Sequence, residues 1–135
     1  MRQLDLSALR TCVTRLNEGI ARLAQAPQDE VFQESLIQRF EYSYEVSLKV
    51  LQRALHVKIG LADDPIARMS LPVTVRTAYE YGLLRSSWDV WDTFRDARNR
   101  TSHTYSQEAA NAVLAVIPAF AKEVESLLER LHALE

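Results

Sequence analysis

The sequence predicts an all-α protein, an up-and-down bundle of four long helices plus one short helix. Three observations predict it. Apolar residues recur in alternating steps of three and four along most of the chain, which is the spacing of one helix face. Glycine and proline are scarce, 3 and 4 in 135 residues, too few for a disordered or linker-rich chain or for the turns of a many-stranded sandwich. The connections between periodic segments are short, and short connections favour antiparallel neighbours.

The first seam is Leu6, Leu9, Val13, Leu16, Ile20 and Leu23, and Pro27 ends that helix or lies just past it. Asp29 is placed to cap a second, longer helix. Its stripe is Phe32, Leu36, Phe40, Tyr44, Leu48, Leu51 and Leu55, widened by Ile37, Val46 and Val50, so it is expected to be buried on more than one side. Glu45 and Lys49 make an i,i+4 pair in the favourable order, and Gly60 suits the stop. Residues 60–71 read as the one real loop, with Asp63-Asp64-Pro65 as its turn signal. Ser70 then caps a short helix with Pro72 in its first turn, carrying Val75, Ala78 and Tyr79 and stopping at Gly82. Ser86 or Ser87 caps the next helix, which carries Trp88, Trp91 and Phe94 and runs into residues 98–105. Thr104 and Gln107 fit a T-x-x-Q capping box for the last helix. That helix carries Val113, Val116, Ile117, Phe120, Val124, Leu127, Leu128 and Leu131, with Pro118 expected to kink it.

At 135 residues and 15.4 kDa the chain is expected to form a single domain over 1–135. Its 47% apolar and 25% charged residues are the balance of a globular protein. One cysteine, Cys12, makes no internal disulfide and builds no zinc site alone. A net charge of −2 and a pI near 5.9 argue against nucleic-acid binding by bulk charge, so any such contact must be local. The N-terminus has no signal-peptide core and no apolar run approaches a membrane span, so a cytoplasmic protein in a reducing compartment is expected.

Gly-rich phosphate loops, a G-x-S-x-G elbow and H-E-x-x-H are all absent. The histidines are His56, His103 and His132, and no carboxylate cluster stands out, so neither a metal nor a cofactor is expected. Asp89, Asp92 and Arg95 read as a solvated helix face. Residues 95–105 differ. Arg98 lies four residues after Phe94 and seven after Trp91, and so continues an inward-facing aromatic stripe. A guanidinium there needs acceptors, and Glu41 or Glu45 on the long helix would supply them. Asn99 and His103, four apart, can meet on one helix face. Arg98 and His103 are five apart, roughly 140° around a regular helix. They converge only if the helix breaks near His103 or a second subunit takes part. His103 therefore stands between two readings, a hydrogen-bonded structural residue and a catalyst. Arg95, Arg98 and Arg100 add a local basic patch, partly offset by Asp92 and Asp96.

Arg98-Asn99-Arg100-Thr101-Ser102-His103 resembles the R-x4-6-H signature of the HEPN family, and His103-Thr104-Tyr105 extends it to R-x4-H-x-Y. The longer form is similar to HepT-type proteins, which pair with minimal (MNT-type) nucleotidyltransferases. Residues 37–49, Ala78-Tyr79-Glu80-Tyr81-Gly82-Leu83 and Asp96-Ala97-Arg98-Asn99 are also similar to that group, within the branch of nucleotidyltransferase substrate-binding proteins. The resemblance covers about residues 30–130. It implies a HEPN-like bundle that forms a homodimer, with the Arg–His motifs of two subunits facing one cleft. It also implies a separately encoded MNT-type nucleotidyltransferase partner, as in toxin–antitoxin pairs. Many HEPN proteins are metal-independent RNases, whereas some members of this branch act as accessory subunits.

The leading expectation is a toxin-type subunit that cleaves RNA. His103 moves a proton, Arg98 holds the phosphate, and Asn99 orients His103 or contacts RNA. Thr101 and Ser102 are assigned to packing or helix-end hydrogen bonds. Tyr105, two residues from His103, is the position at which the resemblance places AMP transfer by the partner. The rival expectation is a non-catalytic module that presents a substrate or nucleotide to the transferase. A purely structural helical adaptor is a third. No membrane association is expected.

Overall fold

The structure, a computed structural model, describes residues 4–135. Its elements are all helical: α1 (Ser7–Gln25), α2 (Glu30–Val57), α3 (Asp63–Arg68), α4 (Leu71–Glu80), α5 (Trp88–Arg100), a 3-10 turn (Thr101–His103), α6 (Gln107–Leu114) and α7 (Ile117–Ala133). The Asp29 carboxylate starts α2 by accepting the N–H groups of Val31 at 2.9 Å and Phe32 at 3.1 Å. The widened stripe of α2 has the expected consequence: α2 touches α1, α3, α4, α5, α6 and α7 and forms the central post of the bundle. Gly19 lets α1 lie close against it, since a Cβ there would come within 2.9 Å of Leu36 Cδ1.

The core closes on aromatic rings from three helices. Phe120 of α7 meets Phe40 of α2 edge-on at 5.0 Å and Phe94 of α5 at 5.3 Å, and Trp91 packs beside them at 6.1 Å. Trp91, Phe94 and Ala97 are the buried residues of α5. Arg98, the next residue, lies where this stripe reaches the surface.

The corner between α4 and α5 is pinned to α7. Gly82 ends α4 with φ of 79°, and the Leu83 N–H returns to the Ala78 carbonyl at 2.9 Å. Arg130 donates to the Gly82 and Leu84 carbonyls at 3.0 and 3.3 Å. Glu123, 2% exposed, accepts from Arg85 Nε at 3.2 Å and from the Ser86 hydroxyl.

Several elements depart from expectation. Residues 60–71 are not all loop: α3 occupies 63–68 and buries Ile66. Asp63-Asp64-Pro65 reads as a turn, but acids in a first turn also favour a helix start, and Ile66 supplies the apolar anchor. Ser87 is the residue before α5, yet its hydroxyl makes no capping bond, and Ser86 is engaged by Glu123 instead. Tyr79 is exposed, whereas Val75 and Ala78 are buried. The Thr104–Gln107 capping box does not form. Ser106 caps α6 by accepting the Ala109 N–H at 3.1 Å, and Thr104 donates back to the Thr101 carbonyl at 3.4 Å. Pro118 does more than kink the last helix. It opens α7 at its first turn, and Ala115 and Val116 separate α6 from α7, because proline cannot donate the bond that would join them. Among the described residues, no helix is long and apolar enough to cross a membrane.

Candidate functional site

The site grows from the end of α5. The chain tightens at Thr101 from α-helix into the 3-10 turn. Thr101 is buried, and its hydroxyl donates to the Arg98 carbonyl at 2.8 Å while accepting from Arg98 Nη1 at 3.1 Å. This is the packing and helix-end role expected of it; Ser102 is exposed. Arg98 Nη2 donates to Glu45 Oε1 at 3.0 Å, and Nη1 lies 3.8 Å from Glu41 Oε2. The hydrogen-bond acceptors of this guanidinium are thus Glu45 and the Thr101 hydroxyl, and Glu41, one turn before Glu45 on the same face of α2, adds an ion pair. Beneath them, burial pushes the Tyr44 phenol above its ordinary pKa, while the charges of Arg95 and Arg98 pull it back in part.

His103 and Tyr105 form a second group. Their rings lie 6.3 Å apart and tilted by 54°, and Tyr105 is 91% exposed. His103 is exposed at the end of the 3-10 turn, and Asn99 is exposed on α5. Among the described residues no hydrogen bond joins His103 to Asn99 or to Arg98. α5 stops at Arg100, so Asn99 lies on the α-helix and His103 in the 3-10 turn that follows it. The basic patch is largely neutralised: Arg95 pairs with Asp92 at 2.6 Å and lies 5.0 Å over the Trp88 ring, and Arg100 pairs with Asp96 at 3.2 Å. Among the described residues, no group of three His, Cys, Asp or Glu side chains comes together to hold a metal.

One feature beside Tyr105 has no counterpart among the motifs. A hollow of about 180 Å³ is bounded by Gln33, Glu34, Tyr105 and Gln107. Gln33 is buried, donates to the Pro27 carbonyl at 2.8 Å and accepts from Gln107 Nε2 at 3.0 Å. The two amides are 74 residues apart in sequence, and only tertiary packing brings them together.

The chain has counterparts among known proteins. The family model described as "Nucleotidyltransferase substrate binding protein like" matches residues 4–133, and the chain belongs to that family. It is 34% identical over 138 residues to a Haemophilus influenzae protein named "Probable ribonuclease HepT", covering 96% of this chain and 93% of that one. A solved Haemophilus influenzae structure, reported to reveal the fold of a substrate binding domain of a nucleotidyltransferase, superposes with a TM-score of 0.84 at 32% identity, over 95% of this chain and 99% of that one. A crystal structure from Thermus thermophilus matches with a TM-score of 0.62 at 32% identity, over 86% and 98% of the two chains. The all-α bundle is therefore the fold of this family.

Proposed function

We propose that this chain is the HEPN toxin-type subunit of a two-component toxin–antitoxin system, a metal-independent endoribonuclease controlled by a nucleotidyltransferase. The observation that carries the reading is the 3-10 turn after α5, which ends the helix at Arg100 and leaves the His103 imidazole exposed a few residues beyond an anchored Arg98. The ribonuclease name of the Haemophilus relative supports it. In the proposed reaction the RNA 2′-oxygen attacks the adjacent phosphorus, the 5′-oxygen leaves, and a 2′,3′-cyclic phosphate and a 5′-hydroxyl result. A base must take the 2′-proton and an acid must protonate the leaving oxygen. Each chain offers one imidazole in the motif, so two subunits facing one cleft supply both. Arg98 has five N–H donors, and those not spent on Glu45 and Thr101 can hold the phosphate and the charge that builds on it. Glu41 and Glu45 support Arg98 in position, and Asn99 contacts the RNA. Residues 1–135 are read as one HEPN-like domain acting in the cytoplasm. The test is incubation of pure protein with RNA in EDTA. Cleavage ending in cyclic phosphate supports the proposal, and intact RNA overturns it.

The cleft requires a homodimer. Light scattering at micromolar concentration is expected to return twice the 15.4 kDa chain mass. A monomeric mass would remove the two-subunit site.

Control is assigned to an MNT-type partner that transfers AMP to Tyr105. The phenol oxygen attacks the α-phosphorus of ATP, pyrophosphate leaves, and the phenolic proton passes to a base of the transferase. With 91% of its surface exposed, Tyr105 offers its oxygen without unfolding of the junction. The adduct brings a phosphate charge beside the motif and competes with RNA for Arg98. Co-expression with the partner is expected to add whole AMP units to the intact mass, and Tyr105→Phe to abolish the shift. No shift, with toxicity still neutralised, would leave inhibition by binding alone.

A second reading, a non-catalytic substrate-binding subunit, is favoured by the pairing of Arg98 with two carboxylates and by the family's description. The same RNA assay decides between the two.

A further inference from the structure

A groove of about 410 Å³ runs between α1 and α2 and includes Thr11, Arg15, Ser35, Arg39, Tyr42 and Ser43. It continues along the same seam into a smaller hollow that adds Arg22. Arg15 and Arg22 are seven residues apart and so share one face of α1, two turns apart. Arg39 crosses from α2 and donates through Nη1 to the Arg15 carbonyl at 2.7 Å. This anchors one edge of the guanidinium and leaves its other N–H groups available. Among the described residues, none of these three arginines has a carboxylate within ion-pair distance. Glu18, the acid between Arg15 and Arg22 on α1, pairs with neither. Among the described residues, Arg85, Arg95, Arg98 and Arg100 are each tied to an acid, whereas Arg15, Arg22 and Arg39, like Arg10, Arg53, Arg68, Arg76 and Arg130, are not.

Tyr42 adds an aromatic surface, 62% exposed, at the edge of the groove. The Ser35 hydroxyl and the Gln38 amide supply neutral donors and acceptors, and the Thr11 hydroxyl, which donates to the Ser7 carbonyl at 3.1 Å, an acceptor. Cys12 lines the groove and is buried, and burial pushes its thiol pKa up. Guanidiniums for a phosphate, an open ring for a base and hydroxyls for a sugar are the parts that bind a nucleotide. The volume falls within the range of small-molecule sites.

We infer that the α1–α2 groove is a nucleotide-binding site distinct from the Arg98–His103 junction, with Arg15 and Arg39 on the phosphate and the base stacked on Tyr42. Residues 35, 38, 39 and 42 lie on one side of α2, and Glu41 and Glu45, which hold Arg98, lie about a quarter turn away. The site stands whether or not the chain cuts RNA. Its ligand unit is a nucleoside phosphate, either free or within single-stranded RNA.

The test is a titration of the ¹⁵N-labelled full chain with AMP, inorganic phosphate, adenosine and a 2′-O-methyl hexanucleotide, which lacks the nucleophilic hydroxyl and stays intact. AMP is expected to shift the amides of residues 11–15, 35–43 and 22 more than phosphate or adenosine does. The Arg15→Ala/Arg39→Ala pair is expected to weaken AMP binding by at least about tenfold, and Tyr42→Ala by at least about fivefold. Both variants keep the core intact, since the replaced side chains lie at the surface or its edge. Shifts with AMP identify a free nucleotide as the ligand; shifts at the same residues with the hexanucleotide alone, weakening steeply with salt, identify a strand. Shifts confined to residues 98–107, or an affinity unchanged in folded Arg15→Ala/Arg39→Ala protein, would overturn the site.

Discussion

Alanine at position 103 is expected to lower RNA cleavage by about 10²–10⁴-fold, the usual contribution of a general acid or base. The melting temperature is expected to stay within about 2 °C of the parent, because an exposed side chain outside the core changes stability by only about 0.5 kcal/mol or less. This pairing of outcomes makes the variant informative. Arg98→Ala would also reduce cleavage, but it removes the cation from Glu41 and Glu45 and the partner from the Thr101 hydroxyl. Its loss of activity therefore mixes chemistry with a disturbed helix end. Cleavage at the parental rate by folded His103→Ala protein, in EDTA, would take His103 out of the reaction and overturn its assignment as acid or base.

The second large effect concerns stability. Glu123→Ala is expected to cost about 2–4 kcal/mol, in the range for breaking a buried, hydrogen-bonded charge pair. The lower part of the general range applies because Arg85 is half exposed and regains water when its partner goes. For a chain of this length that is a fall of roughly 10 °C in melting temperature. Glu123→Gln, which keeps an acceptor for Ser86 and Arg85, is expected to lose about half as much or less. Thermal unfolding followed by circular dichroism checks both. Equal losses in the two variants would mean that the charge, rather than the hydrogen bonds, holds the corner.

The helices were legible where period and cap agree. The seam from Leu9 to Leu16, the Asp29 cap and the stripe of α2 all rest on local spacing, and local spacing is preserved on folding. The same holds for Trp91, Phe94 and Arg98, whose spacing led to the α2 carboxylates as partners. Failures occurred where two local signals compete. Thr104 and Ser106 are both able to cap, and the 3-10 turn that engages Thr104 with Thr101 leaves the cap to Ser106. Asp63-Asp64-Pro65 fits a turn and a helix start equally, and burial of Ile66 decides. The Gln33–Gln107 pair, the Glu123 clamp and the Arg15–Arg39 groove carry no sequence signal. Each joins residues far apart in the chain, and periodicity within one helix says nothing of what the next helix brings.

The interruption before Pro118 has a mechanical meaning. A continuous helix from Gln107 to Ala133 would act as a rigid lever, and any tilt at its first turn would be delivered to the Phe120 rings. With Ala115 and Val116 between them, α6 and α7 are jointed. α6 contributes only Ala110 and Val113 to the buried core, whereas α7 contributes Ile117, Phe120, Val124, Leu127 and Leu131. A bulky group arriving beside His103 and Tyr105 therefore meets α6, a short element set off by this break from the helix that carries Phe120.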